Sequence, residues 1–325
     1  MNAIGTGNNS FRYWGDVFLS KKNGKVCYSQ IKNLRCYLNH LYGYIGEIPI
    51  NMITPDDIDR VLDRLTEKNP NTKKPTSHQY LINVKNAASD VFELAIDRDI
   101  VCKNPARKCE VSKYAPKKER RALTESEQKL IVHTPHRARI GVLIMMLAGL
   151  RRGELIPLTW DDINLENLSI CVCKSAEEQG SNCFVVKNGT KNGKWGRIIP
   201  ITVDLALEIQ EAKKNAASKY VCCKKNGDMH TPTSWRQMWE SYIHTINSLN
   251  PEASRTGINE VTAHYLRHTY ATLLYISGVD VLTASKLMGH SNVKTTIAIY
   301  THLEEIMIIK SVDKLDTYIS KHLFK

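Results

Sequence analysis

The chain has 325 residues, and its 45 Lys plus Arg against 33 Asp plus Glu give a formal net charge of +12. At roughly 100 to 200 residues per domain this length holds two domains, each large enough to bury its own core, and it excludes a mini-protein. No apolar run reaches the roughly 20 residues of a membrane helix, so the excess charge points to nucleic acid as partner and away from a membrane, although a basic balance also serves solubility alone. The start, MNAIGTGNNS, lacks a secretory pattern, which leads to the expectation of a cytoplasmic protein. Nine cysteines are too dilute for a disulfide scaffold, and neither Cys171-x-Cys173 nor Cys222-Cys223 has a second ligand pair at zinc-finger spacing. Neither a metal nor a cofactor is expected.

Beyond a short tail over residues 1–9, the first third carries helical periodicity. A helix is expected around Trp14, Val17 and Phe18, and a second through Ile31, Leu34, Leu38 and Leu41. Thr54-Pro55 starts a third with a capping hydroxyl ahead of proline, continued by Ile58, Val61, Leu62 and Leu65. A fourth runs through Leu81, Val84, Ala88, Val91 and Ala95 until Asn104-Pro105, where the residue before proline resists helical geometry. These four helices form a unit over residues 10–112. Residues 113–121, KYAPKKERR, contain Lys113, Lys117, Lys118, Arg120 and Arg121 beside a proline. This basic linker reads either as a solvated hinge or as a strap along a DNA backbone, where it adds salt-dependent affinity without sequence choice.

A second domain, residues 122–325, opens with Thr124 and Glu127 at capping-box spacing. The run IGVLIMMLAGL over 140–150 is apolar on every side, which marks a central buried helix that Gly149 ends in a left-handed cap. A short helix then carries Arg151, Arg152, Glu154 and Leu155. Within 168–201, the segments LSICVC, NCFVVK and GRIIPI read as a three-stranded sheet with Asn188-Gly189 and Asn192-Gly193 as turns. In extended form Cys171 and Cys173 face one side, and Ile170 and Val172 the other. Helices follow at about 204–217, 232–249, 263–277, 280–288 and 292–318. The fold class is mainly α with a small antiparallel β-sheet.

Two segments place polar residues where packing alone would not. Arg151 follows the most hydrophobic helix directly, so its guanidinium sits at the edge of a core, costly unless paired or waiting for an anion. Glu154 lies one helical turn away, close enough to hold it; a buried Arg–Glu bridge and an anion site are both compatible with this spacing. In the second segment, Thr262-Ala-His264-Tyr-Leu-Arg267, His264 and Arg267 share a helical face near a helix N-terminus, which favours phosphate. Farther on, Leu-Met-Gly-His290 ends a helix, and Tyr300 follows ten residues later.

Taken in order, these segments resemble the tyrosine recombinases, the phage-integrase type of site-specific recombinases. The family carries an Arg in a Gly-Leu-Arg-x-x-Glu segment, a hairpin Lys, a His-x-x-Arg pair, a His or Trp after Leu-Gly, and a Tyr nucleophile about ten residues later. The matching positions are Arg151 with Glu154, Lys191, His264 with Arg267, His290, and Tyr300. Lys187 and Lys194 flank the same turn, and Thr-Lys191 before the basic strand fits the pattern best. The resemblance covers the second domain throughout and extends more loosely to residues 10–112, which are similar to the family's helical core-binding (SAM-like) domain.

The resemblance implies DNA breaking and rejoining through a covalent 3′-phosphotyrosine on Tyr300. In that chemistry a phenol with a free pKa of about 10 needs a base, for which His264 is the candidate, and Lys191 is the implied acid for the leaving 5′-oxygen. Arg151 and Arg267 supply planar forks for the non-bridging oxygens, His290 adds a hydrogen bond, and Glu154 orients the site. It further implies double-stranded DNA with specific recombination sites, a homotetramer on paired DNA, accessory directionality or DNA-bending proteins, and a nucleoid-associated location. The tail after Tyr300, with Leu303, Ile306, Ile309, Val312, Leu315 and Ile319, reads as an amphipathic segment that either caps its own domain or passes to a neighbouring subunit. A type IB topoisomerase-like strand relaxase and a catalytically inactive DNA-binding regulator are the competing functions.

Overall fold

The computed structural model describes residues 9–70, 72–117, 121–189, 196–255, 258–290, 292–301 and 319, and the chain divides into two compact units, residues 1–119 and 120–325.

The first unit contains α1 (Phe11–Lys22), α2 (Tyr28–Ile45), α3 (Pro55–Glu67) and α4 (His78–Ile96). The first three each pack on α4, and Phe11, Leu38, Leu41, Ile58, Leu65, Leu81 and Phe92 are completely buried between them. Thr54 starts α3 as its spacing requires: its hydroxyl accepts the Asp57 amide, and the Asp57 carboxylate accepts the Thr54 amide at 2.9 Å. Beyond α4, Asn104 fixes the exit of the chain, donating to Ser89 Oγ at 2.9 Å and accepting from the Ala106 amide at 3.0 Å. Lys113 and Lys117 are exposed, and the Lys113 ammonium lies 5.3 Å from the centre of the Tyr114 ring; Lys118 and Arg120 lie outside the described residues.

The second unit is built around α6 (Arg139–Leu147), with Val142, Ile144 and Met145 fully buried. It packs against α5 (Glu125–His133), α8 (Val203–Lys214) and α10 (Ala263–Ile276). From α9 (Pro232–Leu249), the stripe Trp235, Met238, Tyr242 and Ile246 faces the core, and the Tyr242 hydroxyl donates to the Ile131 carbonyl at 2.7 Å. Gly149 ends the α6 segment at φ +67, and a side chain there would also collide with the Tyr270 ring. Both constraints select glycine. The short α7 (Arg152–Leu155) follows, and later α11 (Val281–Met288) and a helical stretch over 294–301. The rest of the expected helix to 318 lies outside the described residues, as does the tail from Leu303 through Leu315.

The sheet reading needs correction. LSICVC and GRIIPI do pair: β1 (Ile163–Asn164), β2 (Ser169–Val172) and β5 (Arg197–Pro200) form an antiparallel sheet in the order β1-β2-β5. Ile163, Ile170 and Ile199 align across it on the buried face. NCFVVK does not join them. It forms β4 (Cys183–Asn188) and pairs with β3 (Lys174–Gln179) in a separate two-stranded ribbon. The sequence KSAEEQ hid its strand because Ala176 and Phe184 are the buried positions of this ribbon. A backbone ladder and the Lys187–Glu177 ion pair at 2.6 Å hold it without apolar alternation.

Arg121 also departs from the linker reading. Its guanidinium donates to both oxygens of Glu127, at 2.5 and 2.6 Å, while the fully buried Glu127 closes the α5 capping box with Thr124. A buried carboxylate requires a counter-charge, so Arg121 is committed to the helix start. Burial pushes the Glu127 carboxyl up, but Arg121 and the Thr124 hydrogen bonds outweigh this and hold it below its ordinary value. Its stabilisation is therefore present above the unfolded pKa of about 4.3 and is lost as pH falls through the lower folded value. Arg121→Ala is expected to destabilise the second unit by about 2 kcal/mol at neutral pH, less than for a fully buried pair because Arg121 is half exposed. Lys117→Ala should leave stability unchanged. Urea denaturation of both variants checks this, and equal effects would contradict it.

Candidate active site

The turn at Gly149 sends Leu150 into the core and delivers Arg151 to the cap position just before α7. Glu154 reaches back to it: one carboxylate oxygen accepts the Arg151 amide at 2.8 Å and the other accepts Arg151 Nη1 at 2.9 Å. The same carboxylate also receives Arg197, the first residue of β5, whose Nη1 and Nη2 donate at 2.9 and 2.8 Å. Burial pushes the Glu154 carboxyl up, yet Arg197 and then Arg151 outweigh it and hold the group down to about 2. It is an anion throughout the physiological range.

Arg267, on α10, is 3% exposed. Its Nη1 donates to the Gly149 carbonyl and its Nη2 to the Met288 carbonyl. The end of α11 thus receives three arginines on three successive carbonyls: Arg197 Nε on Leu287 at 3.2 Å, Arg267 on Met288, and Arg151 Nη2 on Gly289 at 3.0 Å. The last carbonyls of a helix lack intrahelical partners and form the negative end of its dipole, so cations are favoured there. Gly289 takes φ +61, and the place of its absent Cβ lies 3.0 Å from the Arg197 guanidinium. The left-handed turn and the close approach both require glycine.

His290 follows. Its Nδ1 lies 2.8 Å from the hydroxyl of Thr296, which is fully buried. Burial, then the charges of Arg267, Arg151, His268 and Arg197, push the imidazole down to about 4, so the ring is neutral at pH 7. A neutral ring that accepts the Thr296 hydroxyl at Nδ1 carries its proton on Nε2, where it can donate. His264 sits exposed on the first turn of α10, edge-on to His268 with ring centres 5.2 Å apart. Thr262 holds the cap position of that helix without a capping side-chain bond.

Tyr300 is largely buried, with its ring centre 4.7 Å from that of Tyr275. Its hydroxyl donates to the Val279 carbonyl, 3.3 Å away, in the connection between α10 and α11. Burial, then Asp280 and Tyr275, push the phenol up to about 12. Arg151, Glu154, Arg267 and His290 therefore converge on the end of α11, while the Tyr300 hydroxyl engages a different carbonyl. Lys191 and Lys194 lie outside the described residues. Lys187 is ion-paired with Glu177.

Arg197 and Thr296 belong to this cluster although the sequence reading assigned neither to it. The trace of Arg197 was a basic residue opening the strand that ends at Pro200; Thr296 left no signal. Three guanidiniums against one carboxylate leave the cluster with an excess of two positive charges, and among the described residues no carboxylate pairs with Arg267. Burial, then Arg151, push Arg267 down to about 9, which still leaves it charged at pH 7. Arg151 is 42% exposed, so bridging Glu154 and receiving an anion are compatible roles. Planar guanidinium forks of this kind match phosphate oxygens.

The depressed His290 has a consequence for stability. The unfolded chain binds protons near pH 6.5, whereas folded His290 binds them near 4. Its contribution to stability is thus complete above about 6.5 and is lost as pH falls toward the folded value. Buried His230, also pushed down to about 4 by burial and Arg137, acts in the same direction. His290→Gln should flatten the loss of stability between pH 7 and 5 in urea denaturation; an unchanged slope would contradict the assignment.

Comparison with known proteins establishes the family and the fold. A model of the phage integrase family matches residues 116–306. The tyrosine recombinase XerC-like protein of Caldanaerobacter subterraneus subsp. tengcongensis is 27% identical over 286 residues, covering 82% of this chain and 70% of that one. Tyrosine recombinase XerA of Pyrococcus horikoshii is 30% identical over 203 residues, covering 61% of this chain and 62% of that one. The fold is similar to that of the Tn1549 transposon integrase, solved with a circular intermediate DNA, at a TM-score of 0.77 and 20% identity over 90% of this chain and 95% of that one. With more than half of its length matched by the family, the chain belongs to the phage integrases and is a tyrosine recombinase.

Proposed function

We propose that this recombinase cuts and reseals specific DNA sites through a covalent 3′-phosphotyrosine on Tyr300, with Arg151 and Arg267 holding the scissile phosphate. The observation that carries the reading is the convergence of guanidiniums, in net positive excess, on the end of α11 beside a neutral His290. The Tyr300 oxygen attacks phosphorus while the bond to the 5′-oxygen breaks. The ester energy is conserved, so a 5′-hydroxyl from a partner duplex can reverse the step without an external energy source. The phenolic proton passes to His264, and Lys191 protonates the leaving 5′-oxygen. Charge growing on the non-bridging oxygens is met by Arg151, Arg267 and His290, as preorganised donors require. Before attack the Tyr300 hydroxyl must leave the Val279 carbonyl that it now occupies.

Residues 10–112 act in this reading as a core-binding domain, and residues 122–325 carry the chemistry. The basic residues Lys113, Lys117, Lys118 and Arg120 of the segment between them contribute salt-dependent affinity. The formal charge of +12 supports a DNA partner. The active assembly is a homotetramer on paired DNA sites, assisted by accessory proteins, in the integration or excision of a mobile element. No described helix is long and apolar enough to cross a membrane, and the partner DNA puts the protein at the nucleoid in the cytoplasm.

Tyr300→Phe should abolish the covalent adduct on a nicked site while duplex affinity stays near that of the parent. Arg151→Lys or Arg267→Lys keeps the charge but loses the fork, and cleavage should fall roughly 10²- to 10³-fold, far more than stability, which Arg267→Lys lowers further than Arg151→Lys because Arg267 is buried. An adduct that survives Tyr300→Phe would overturn the assignment. Equal loss of cleavage and stability in the arginine variants would make them parts of the core alone.

A further inference from the structure

We propose that Arg197 is a positioning residue of the reaction, holding Glu154 and the end of α11 so that Arg151 keeps donors open toward the phosphate. This rests on the assignment of Arg151 to the phosphate. The first support is exposure: the Arg197 side chain is 14% exposed, against 42% for Arg151, so Arg197 is the inner member of the pair. The second is the direction of its donors. Nε, Nη1 and Nη2 of Arg197 each point into the protein, to Leu287, Glu154 and Glu154 respectively.

The third support is the way the Glu154 carboxylate is shared. It accepts both Nη atoms of Arg197, but from Arg151 it accepts one backbone amide and one guanidinium nitrogen. Arg151 uses Nη1 on Glu154 and Nη2 on Gly289, and among the described residues the Nε proton and outer Nη protons remain for an anion. Without Arg197 the buried carboxylate would have Arg151 as its remaining hydrogen-bonded cation among the described residues. It would close on that guanidinium as a fork-to-fork pair, taking the donors and offsetting the charge that the phosphate requires. The α11 end would also lose the hydrogen bond to Leu287, one residue from the Met288 carbonyl that holds Arg267.

The test uses the full-length chain on a duplex whose scissile position is either a phosphodiester or a methylphosphonate. The methyl group removes one negative charge, so a reaction there depends less on cationic stabilisation. Arg197→Gln should lower phosphodiester cleavage roughly 10²-fold with duplex affinity near the parent's, while adduct formation on the methylphosphonate, measured below the variant's lowered melting temperature, stays within about threefold. Arg197→Lys should fall between the two. Placed in an Arg151→Lys background, Arg197→Gln should cost little more, because groups acting through one another are not additive. Equal loss on both substrates, full additivity in the double variant, or unchanged phosphodiester cleavage would each overturn the proposal. Should Arg151→Lys itself cleave as the parent does, the phosphate assignment of Arg151 fails first, a result distinct from any of these.

Discussion

The last turn of a helix exposes carbonyls that no amide of the same helix can reach, and in this protein the end of α11 meets that requirement with three arginines drawn from three other elements. Each arrives for a local reason. Gly149 turns the chain so that Arg151 heads α7, Arg197 opens β5 after the ribbon, and Arg267 projects from the first turns of α10. Glu154 then gathers two of them. The helix end, the small sheet and the central helix are fastened to one another at the place where the positive charge collects.

That fastening sets the electrostatics of everything near it. Two arginines on one carboxylate keep Glu154 ionised despite its burial, and burial together with the remaining excess charge holds His290 neutral. A neutral imidazole adds no charge to an already cationic pocket. Tyr300 faces the opposite situation, since burial and Asp280 keep its phenol protonated. Under the proposed chemistry, its activation requires movement away from the Val279 carbonyl and toward the cations, which favours the phenolate. The helical stretch over 294–301 carries both Thr296, the partner of His290, and Tyr300, whose hydroxyl rests on the Val279 carbonyl.

Much of this was legible in the residues. Thr54-Pro55, the Thr124–Glu127 box and the apolar run at 140–150 specify their helices through short-range rules, and the structure places helices there. Arg151, Glu154 and Arg267 stand out as polar residues where packing alone would not place them, whereas His290 enters only through the family resemblance. The ribbon was misread because Lys174–Gln179 is held by backbone pairing, with alternation too weak to see. Arg197 was missed for a related reason: its partner Glu154 lies 43 positions away, and no local pattern encodes a contact closed by tertiary folding. Arg121 was over-read, since a basic run looks uniform until one member finds a buried carboxylate.

The central claim is that the guanidiniums at the end of α11 present a phosphate to Tyr300. Mass spectrometry of the covalent complex formed by the unaltered chain on a nicked recombination site tests it most directly, by identifying both the modified peptide and the attached strand end. The account predicts a 3′-phosphate ester on Tyr300 alone. A 5′-linked strand, or an adduct on Tyr270, Tyr275 or Tyr318, would contradict it.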